Sequence, residues 1–261
     1  MRQISCILIA LAIVGVYGDE PDKLVNGIPT TIEEYPHCVS LRVKDNNHFC
    51  CGSIIDPEYI LTAGHCIVPL EQDSSLMESL TIVSGTTYLD NGGEVHKAAK
   101  VWLHENYNTR SSGRGPYDIG LIKLTKPMEF GPTQRSVLLP TKKSEKNMEV
   151  TIGAWGSEGF RKPIHNNLQK LDASVMLADT CQTYHHFIMK IHKHEICTLI
   201  KRGTGMCNGD SGSGLITNTD IEKREIVGVT SGGIPCATGY PDVFTDVYSY
   251  VSWIKEKMEE K

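Results

Sequence analysis

No apolar run after the first twenty residues is long enough to cross a bilayer as a helix, so the rest of this 261-residue chain carries no helical membrane span. Long blocks of like charge are absent too. With 26 Lys and Arg against 31 Asp and Glu, the net charge is only −5, which argues against a nucleic-acid footprint. The chain has no internal repeat and no low-complexity linker, which excludes solenoid, collagen-like, coiled-coil and disordered architectures. A hydrophobic share of 40% is enough to fill the core of one large domain or two small ones. No Asn-x-Ser/Thr sequon occurs, so N-glycosylation is not expected.

What is present begins with an address. Arg2 supplies a positive start, residues 4–16 are almost unbrokenly apolar, and Val16-Tyr17-Gly18 offers small residues where a signal peptidase reads. Residues 1–18 are therefore expected to be a secretory signal peptide. A buried N-terminal helix is disfavoured by Asp19, Glu20 and Asp22, which follow at once. Secretion delivers the chain to an oxidising compartment, where cysteines pair. Of nine cysteines, Cys6 lies in the leader, leaving the even set Cys38, Cys50, Cys51, Cys66, Cys181, Cys197, Cys207 and Cys236. Eight cysteines allow about 105 connectivities, and spacing alone does not choose among them.

Short β-rich runs recur at 37–43, 49–61, 80–83, 119–124, 150–152, 168–176, 214–216 and 226–229. Turn chemistry separates them: Asp45-Asn46-Asn47, Asn91-Gly92-Gly93, residues 110–116, and Asn218-Thr219-Asp220. Many short strands with polar turns predict an all-β sandwich or barrel. The C-terminus differs. Val247, Val251, Ile254 and Met258 share one helix face, with Lys and Glu opposite, which predicts a helix over about 246–260 docked on the last barrel. Lys255, Lys257 and Lys261 fall late in it, where cations favour the helix dipole.

Three separated segments carry chemistry together. Leu61-Thr62-Ala63-Gly64-His65-Cys66 ends a β-run in a histidine beside a cysteine. Tyr117-Asp118-Ile119-Gly120-Leu121-Ile122 opens an apolar strand with an acid. Asn208-Gly209-Asp210-Ser211-Gly212-Ser213-Gly214 sets a serine among glycines, whose conformational freedom lets backbone N–H groups aim at one point. Each is weak alone; the ordered set of base, acid and nucleophile is specific.

On these segments the chain resembles the chymotrypsin-like serine endopeptidases, in detail the secreted chymotrypsins of insects. Ala154-Trp155-Gly156, Ile196-Cys197-Thr198 and Pro241-Asp242-Val243-Phe244 carry the likeness onward, so that it covers Leu24 to the C-terminus. The resemblance implies two six-stranded antiparallel β-barrels, about 24–133 and 134–245, followed by the C-terminal α-helix, with the site in the cleft between barrels. It implies that His65, Asp118 and Ser211 form the triad, that the N–H groups of Gly209 and Ser211 form the oxyanion hole, and that Ser231 supports Asp118. It also implies a propeptide, residues 19–23. A trypsin-like protease would cut after Lys23 and free the α-amino group of Leu24 to pair with Asp210. Leu24 is a departure, since Ile or Val is usual there.

The same resemblance implies the bridges Cys50–Cys66, Cys181–Cys197 and Cys207–Cys236. For the remaining pair a fourth bridge, Cys38–Cys51, is the expectation, with two free thiols as the alternative; Cys51 stands where the family carries glycine. In the specificity pocket, Gly205 and Met206 are expected at the base, Gly233 on the entrance wall and Asp242 deep on the opposite side, with Asn208 also expected to bind substrate and Gly232 expected beside the substrate's P2 and P4 side chains. Gly232 replaces a usual aromatic residue, and Ser213-Gly214 a usual Gly-Pro. Large apolar or aromatic P1 residues are the expected substrates, with basic or broad P1 preference through Asp242 as the alternative. A catalytically idle homologue acting as a binding module is the competing class of function.

Metal binding by His185, His186, His192 and His194 is weighed against solvated histidines, which are expected instead. Thr86 follows Gly85 where the family's calcium loop has an acid, so neither metal nor cofactor is expected. The implied partners are protein or peptide substrates, the activating protease and protein protease inhibitors, with neither nucleic acid nor membrane, around a secreted monomer.

Overall fold

The computed structural model describes residues 24–108, 115–234 and 236–260; the expected signal peptide and propeptide, including Lys23, lie outside them. The two barrels and the C-terminal helix are the architecture expected from the sequence. After β1 (Ile28–Pro29), the first barrel comprises β2 (Cys38–Val43), β3 (Asn47–Asp56), β4 (Tyr59–Thr62), β5 (Thr81–Ser84), β6 (Glu94–Leu103) and β7 (Gly120–Leu124). It closes in the order β2–β3–β4–β7–β6–β5. The second comprises β8 (Glu149–Ala154), β9 (Gln169–Leu177), β10 (Glu195–Thr198), β11 (Gly214–Thr217), β12 (Ile226–Gly232) and β13 (Asp242–Asp246). Its ring runs β9–β10–β13–β12–β11–β8, with β8 returning to β9 and β1 on the edge of β9 that β10 leaves open. All these pairings are antiparallel.

Closure leaves no interior strand edge and directs alternate side chains inward. Leu41, Ile54, Ile60, Leu61 and Ile82 fill the first barrel; Val150, Ile152, Leu215, Val229 and Phe244 fill the second, and one continuous apolar cluster joins them. Each such side chain contributes roughly 1.5–3 kcal/mol on burial, so the two halves share a single core.

Several elements depart from the sequence pattern. The apolar run 49–61 is two strands, because Pro57 and Glu58 turn the chain and Asp56 Oδ1 accepts the Glu58 N–H at 2.9 Å. Strand β6 carries His96, Lys97 and Lys100, which break the apolar alternation. Helices α1 (Gly64–Gln72), α2 (Ser74–Ser79) and α3 (Ala178–His185) are short, and α1 contains Pro69.

The terminal helix is a tight 3₁₀ turn, Val247–Tyr250, followed by α4 (Val251–Glu259). Contrary to expectation, α4 also docks on the first barrel. Tyr59 Oη donates to the Met258 carbonyl at 2.9 Å, Trp102 Nε1 to Glu260 at 2.8 Å, and Trp253 Nε1 to Glu105 at 2.9 Å. Lys257 is not on a solvated face. It is 8% exposed, and its ammonium lies 2.7 Å from both Glu105 and Glu260. Its apolar stem covers the helix seam while the charged head reaches those carboxylates.

Candidate active site

His65 is the second residue of α1, delivered by β4 at the rim of the first barrel. Asp118 precedes β7 and is fully buried. The two meet twice: the His65 backbone N–H donates to Asp118 Oδ1 at 2.8 Å, and Nδ1 lies 2.9 Å from Oδ2. Burial of the imidazole works to lower its pKa, but the Asp118 charge and hydrogen bond outweigh it and leave the ring more basic than usual. The second barrel also holds Asp118. Ser231 Oγ donates to Oδ2 at 2.5 Å, and Thr245 Oγ1 donates to the Asp118 carbonyl at 2.7 Å. Thr245 was not foreseen, nor was Tyr117, which adopts φ 67° with its N–H donated to Tyr250 Oη at 3.2 Å. A bulky residue in the left-handed region is uncommon and signals a strained turn.

Ser211 sits in the turn before β11. Its carbonyl accepts the Cys51 N–H at 2.7 Å, and Gly212 packs tightly against Thr62 and Ala63, just ahead of His65. The serine turn is thereby pinned to the wall that carries the histidine. Among the described residues no hydrogen bond within 3.5 Å joins the Ser211 hydroxyl to His65.

The backbone before the serine is fixed from two sides. The Asn208 carbonyl accepts the Ser157 N–H at 2.7 Å and its hydroxyl at 3.1 Å. Across a planar trans peptide, the Gly209 N–H must point the opposite way, away from Ser157. Gly209 has φ 93°, and its own carbonyl accepts from His48 Nε2 at 3.0 Å and from the Cys51 thiol at 3.3 Å. His48 gave no sequence signal, since a lone histidine in a polar hairpin is uninformative.

Asp210 is fully buried; its carboxylate accepts the Gly156 and Cys207 N–H groups, each at 2.8 Å. Burial pushes its pKa up to about 8; the two N–H bonds work the other way, and the Asp242 charge adds to the rise. Leu24 is completely buried, and Val25 pairs with Gly205, so the chain after the expected cleavage point lies against the pocket loop.

A pocket of about 160 Å³ opens beside Ser211 and includes Met206, Asn208, Gly232, Gly233 and Asp242 in its lining. Thr230 and Ile234, not foreseen, complete the walls. Gly205 lies behind the base rather than on its surface; a Cβ there would come within 2.5 Å of Asp242 Oδ2. That oxygen accepts the Met206 N–H at 2.9 Å. Burial pushes Asp242 up to about 7, the Met206 bond opposing it.

The described residues contain three disulfides: Cys50–Cys66, Cys181–Cys197 and Cys207–Cys236. The expected fourth, Cys38–Cys51, is not formed; both are buried thiols. Across β2 and β3, Cys38 faces Ser53 and Cys51 faces Ser40, so the cysteines are diagonal. Diagonal positions stand about 7–8 Å apart, too far for a disulfide. Cys38 instead donates to the Gly153 carbonyl at 3.5 Å.

Nor do the four histidines form a cluster. His185 is buried rather than solvated, stacked on Tyr240 with Nε2 3.1 Å from the Pro241 carbonyl, while His194 meets Ser249 Oγ at 3.0 Å. The one His/Cys/Asp/Glu group among the described residues compact enough to share an ion is Cys50, His65 and Cys66, whose sulfurs are already bonded to each other.

The trypsin family model matches residues 24–254. The chain belongs to the trypsin family. It is 36% identical over 234 residues to chymotrypsin-2 of Vespa crabro, covering 89% of this chain and 99% of the relative. It is 30% identical to a trypsin of Sarcophaga bullata, covering 97% and 96%, and 28% identical to hypodermin-A of Hypoderma lineatum, covering 98% and 95%. As a trypsin-family chain it is a serine endopeptidase, a hydrolase acting on proteins. Two of its departures from the family pattern have structural roles. Ser213 is buried and bonded to the Asp210 carbonyl at 2.6 Å and Thr230 Oγ1 at 2.9 Å, knitting the serine turn to β12. Thr86 closes its own loop, accepting the Tyr88 N–H at 3.0 Å and donating to the Asn91 carbonyl at 2.8 Å.

Proposed function

We propose that this trypsin-family protein is secreted and cleaves peptide bonds through Ser211, His65 and Asp118, with large apolar or aromatic residues at P1. The reading rests above all on the buried Asp118 carboxylate, which is bonded to His65 from one barrel and to Ser231 from the other. A serine hydroxyl needs an adjacent base to act at neutral pH. His65 Nε2 takes the Ser211 proton as Oγ attacks the carbonyl carbon, then returns it to the leaving amine; water repeats the cycle on the acyl-enzyme. Asp118 holds Nδ1–H and stabilises the imidazolium. A Ser211–His65 hydrogen bond need not be formed beforehand, since such bonds tighten in the substrate complex. The Gly209 and Ser211 N–H groups stabilise the oxyanion, each such donor typically worth about 3 kcal/mol.

Activation is read as cleavage after Lys23 by a trypsin-like protease. The freed Leu24 ammonium would supply the counter-charge that Asp210 lacks among the described residues, and deprotonation at alkaline pH would end activity. The mature enzyme acts as a monomer and meets protein inhibitors. Asp242 at the pocket base supports a second reading, with basic or broad P1 preference. Two experiments test the proposal. Ser211→Ala should abolish labelling by an organophosphorus reagent, and unchanged labelling would remove Ser211 from the nucleophile role. Absence of labelling in the activated wild type would favour an idle binding module. Cleavage of a mixed peptide library then decides between apolar and basic P1.

A further inference from the structure

We infer that Cys51 is a positioning residue for the oxyanion hole, its thiol acting with His48 to hold the Gly209 peptide in the orientation that presents its N–H to the reacting carbonyl. The inference rests on the serine-endopeptidase reading and extends it to residues outside the triad.

Cys51 touches the serine turn at two successive points. Its backbone N–H donates to the Ser211 carbonyl at 2.7 Å, and its S–H donates to the Gly209 carbonyl at 3.3 Å. Its own carbonyl accepts Thr62 Oγ1 at 2.8 Å, three residues before His65. The residue therefore sits between the strand that delivers the base and the turn that delivers the nucleophile.

The second donor to Gly209 has a fixed proton. Arg42 Nε donates to Ser40 Oγ at 2.9 Å, which leaves the Ser40 hydroxyl free to donate to His48 Nδ1, 2.8 Å away. With Nδ1 accepting, Nε2 carries the hydrogen and donates to the Gly209 carbonyl. Burial and the Arg42 charge lower the His48 pKa to about 4 against the Gly209 bond, so the ring stays neutral at working pH. Burial and the nearby Asp210 charge raise the Cys51 thiol well above its usual range, so its hydrogen is retained. Both groups are donors at neutral pH, and both aim at one oxygen.

That oxygen matters because Gly209 itself is permissive, and the peptide that carries the oxygen is otherwise held, among the described residues, only by its Asp210 N–H, which donates to the Cys207 carbonyl at 3.2 Å. Glycine lacks the Cβ that would confine its dihedrals, and its φ of 93° lies where other residues strain. The preceding carbonyl, of Asn208, is anchored by Ser157, and the following one by His48 and Cys51. With both flanking peptide planes held, the Gly209 N–H cannot swing out of the cleft. An oxyanion donor acts through its preorganisation, so loosening one anchor lowers transition-state stabilisation without changing substrate contacts.

The test compares Cys51→Ala and Cys51→Ser in the activated full enzyme, with Cys38→Ala as a control for loss of a buried thiol that faces Gly153 instead. Rates are expressed per serine titrated with an organophosphorus reagent, and affinity is measured for a peptidyl boronic acid that forms a tetrahedral adduct. Cys51→Ala is expected to lower kcat and boronate affinity together by about two- to tenfold, the scale of one net hydrogen bond, with KM unchanged. Cys51→Ser, which keeps a donor, should recover much of the loss, and Cys38→Ala should change stability but neither catalytic quantity. Equal kcat and boronate affinity in Cys51→Ala and wild type would overturn the inference, as would an equal loss in Cys38→Ala. A wild-type enzyme with no titratable serine is a separate result, overturning the underlying protease reading.

Discussion

Asp242 should make P1 selectivity depend on pH. Its carboxyl stands at the base of the pocket with one oxygen held by the Met206 N–H, and burial lifts it to about 7. Below that pH the group is neutral and the pocket accepts apolar P1 side chains; above it a carboxylate faces the incoming side chain. The charged group facing it is Asp210, whose own rise is partly due to Asp242. A hydrogen bond between a charged pair contributes about 1.5–3 kcal/mol, which is roughly ten- to a hundredfold in kcat/KM. The assay is the ratio of kcat/KM for matched Lys-P1 and Phe-P1 peptides between pH 5.5 and 8.5, since the ratio cancels the titration of His65 common to both. The ratio should rise with pH and level off above the midpoint, and Asp242→Asn should flatten it. A ratio that does not change with pH, or one that rises equally in Asp242→Asn, would refute the reasoning.

Removing the Ser231 hydroxyl leaves more of the Asp118 charge to the imidazole. Ser231→Ala should lower kcat/KM by about tenfold, the scale of a hydrogen bond to a charged group, and move the rising limb of the pH–rate profile to higher pH. Asp210 is raised to about 8 in the fold from an ordinary 3.8, so its contribution to stability, complete at acid pH, is lost as pH climbs through 8. Cleavage after Lys23 should offset that loss, so calorimetry should find the mature enzyme melting above its precursor by a margin that widens from pH 5 to 8. Finally, the denatured, unreduced chain beginning at Leu24 should react with two equivalents of a thiol reagent, from Cys38 and Cys51; zero would restore the bridge the structure lacks.

The parts of the site visible in the sequence were those with a local signature. His65, Asp118 and Ser211 each lie in a short segment where glycine or an apolar strand frames one reactive side chain. Thr245, Ser157 and His48 have no such frame. Each is a single polar residue whose partner lies 127, 51 or 161 positions away, and only barrel closure brings the pairs together. Strand β6 has no apolar alternation to mark it because its outward face carries charge, and residues 49–61 read as one strand because Pro57 and Glu58 turn the chain between two apolar stretches. The Cys38–Cys51 expectation failed on register, since the two residues sit diagonal to each other across β2 and β3. Lys257 failed for a different reason: helix periodicity locates an apolar stripe but says nothing of the acids that a neighbouring barrel brings to its border.

The terminal helix belongs to the half that bears the serine, yet it is fastened to the half that bears the histidine and the acid. Tyr59 and Trp102 clasp its last turn, and Glu105 draws in Trp253 and Lys257. A pull that parts the halves has to unbuckle this strap as well as the shared core and the bonds across the cleft. Proteolytic trimming or a bulky fusion at the tail is therefore expected to act at a distance, loosening the seam between the halves while Ser211, His65 and Asp118 stay chemically intact.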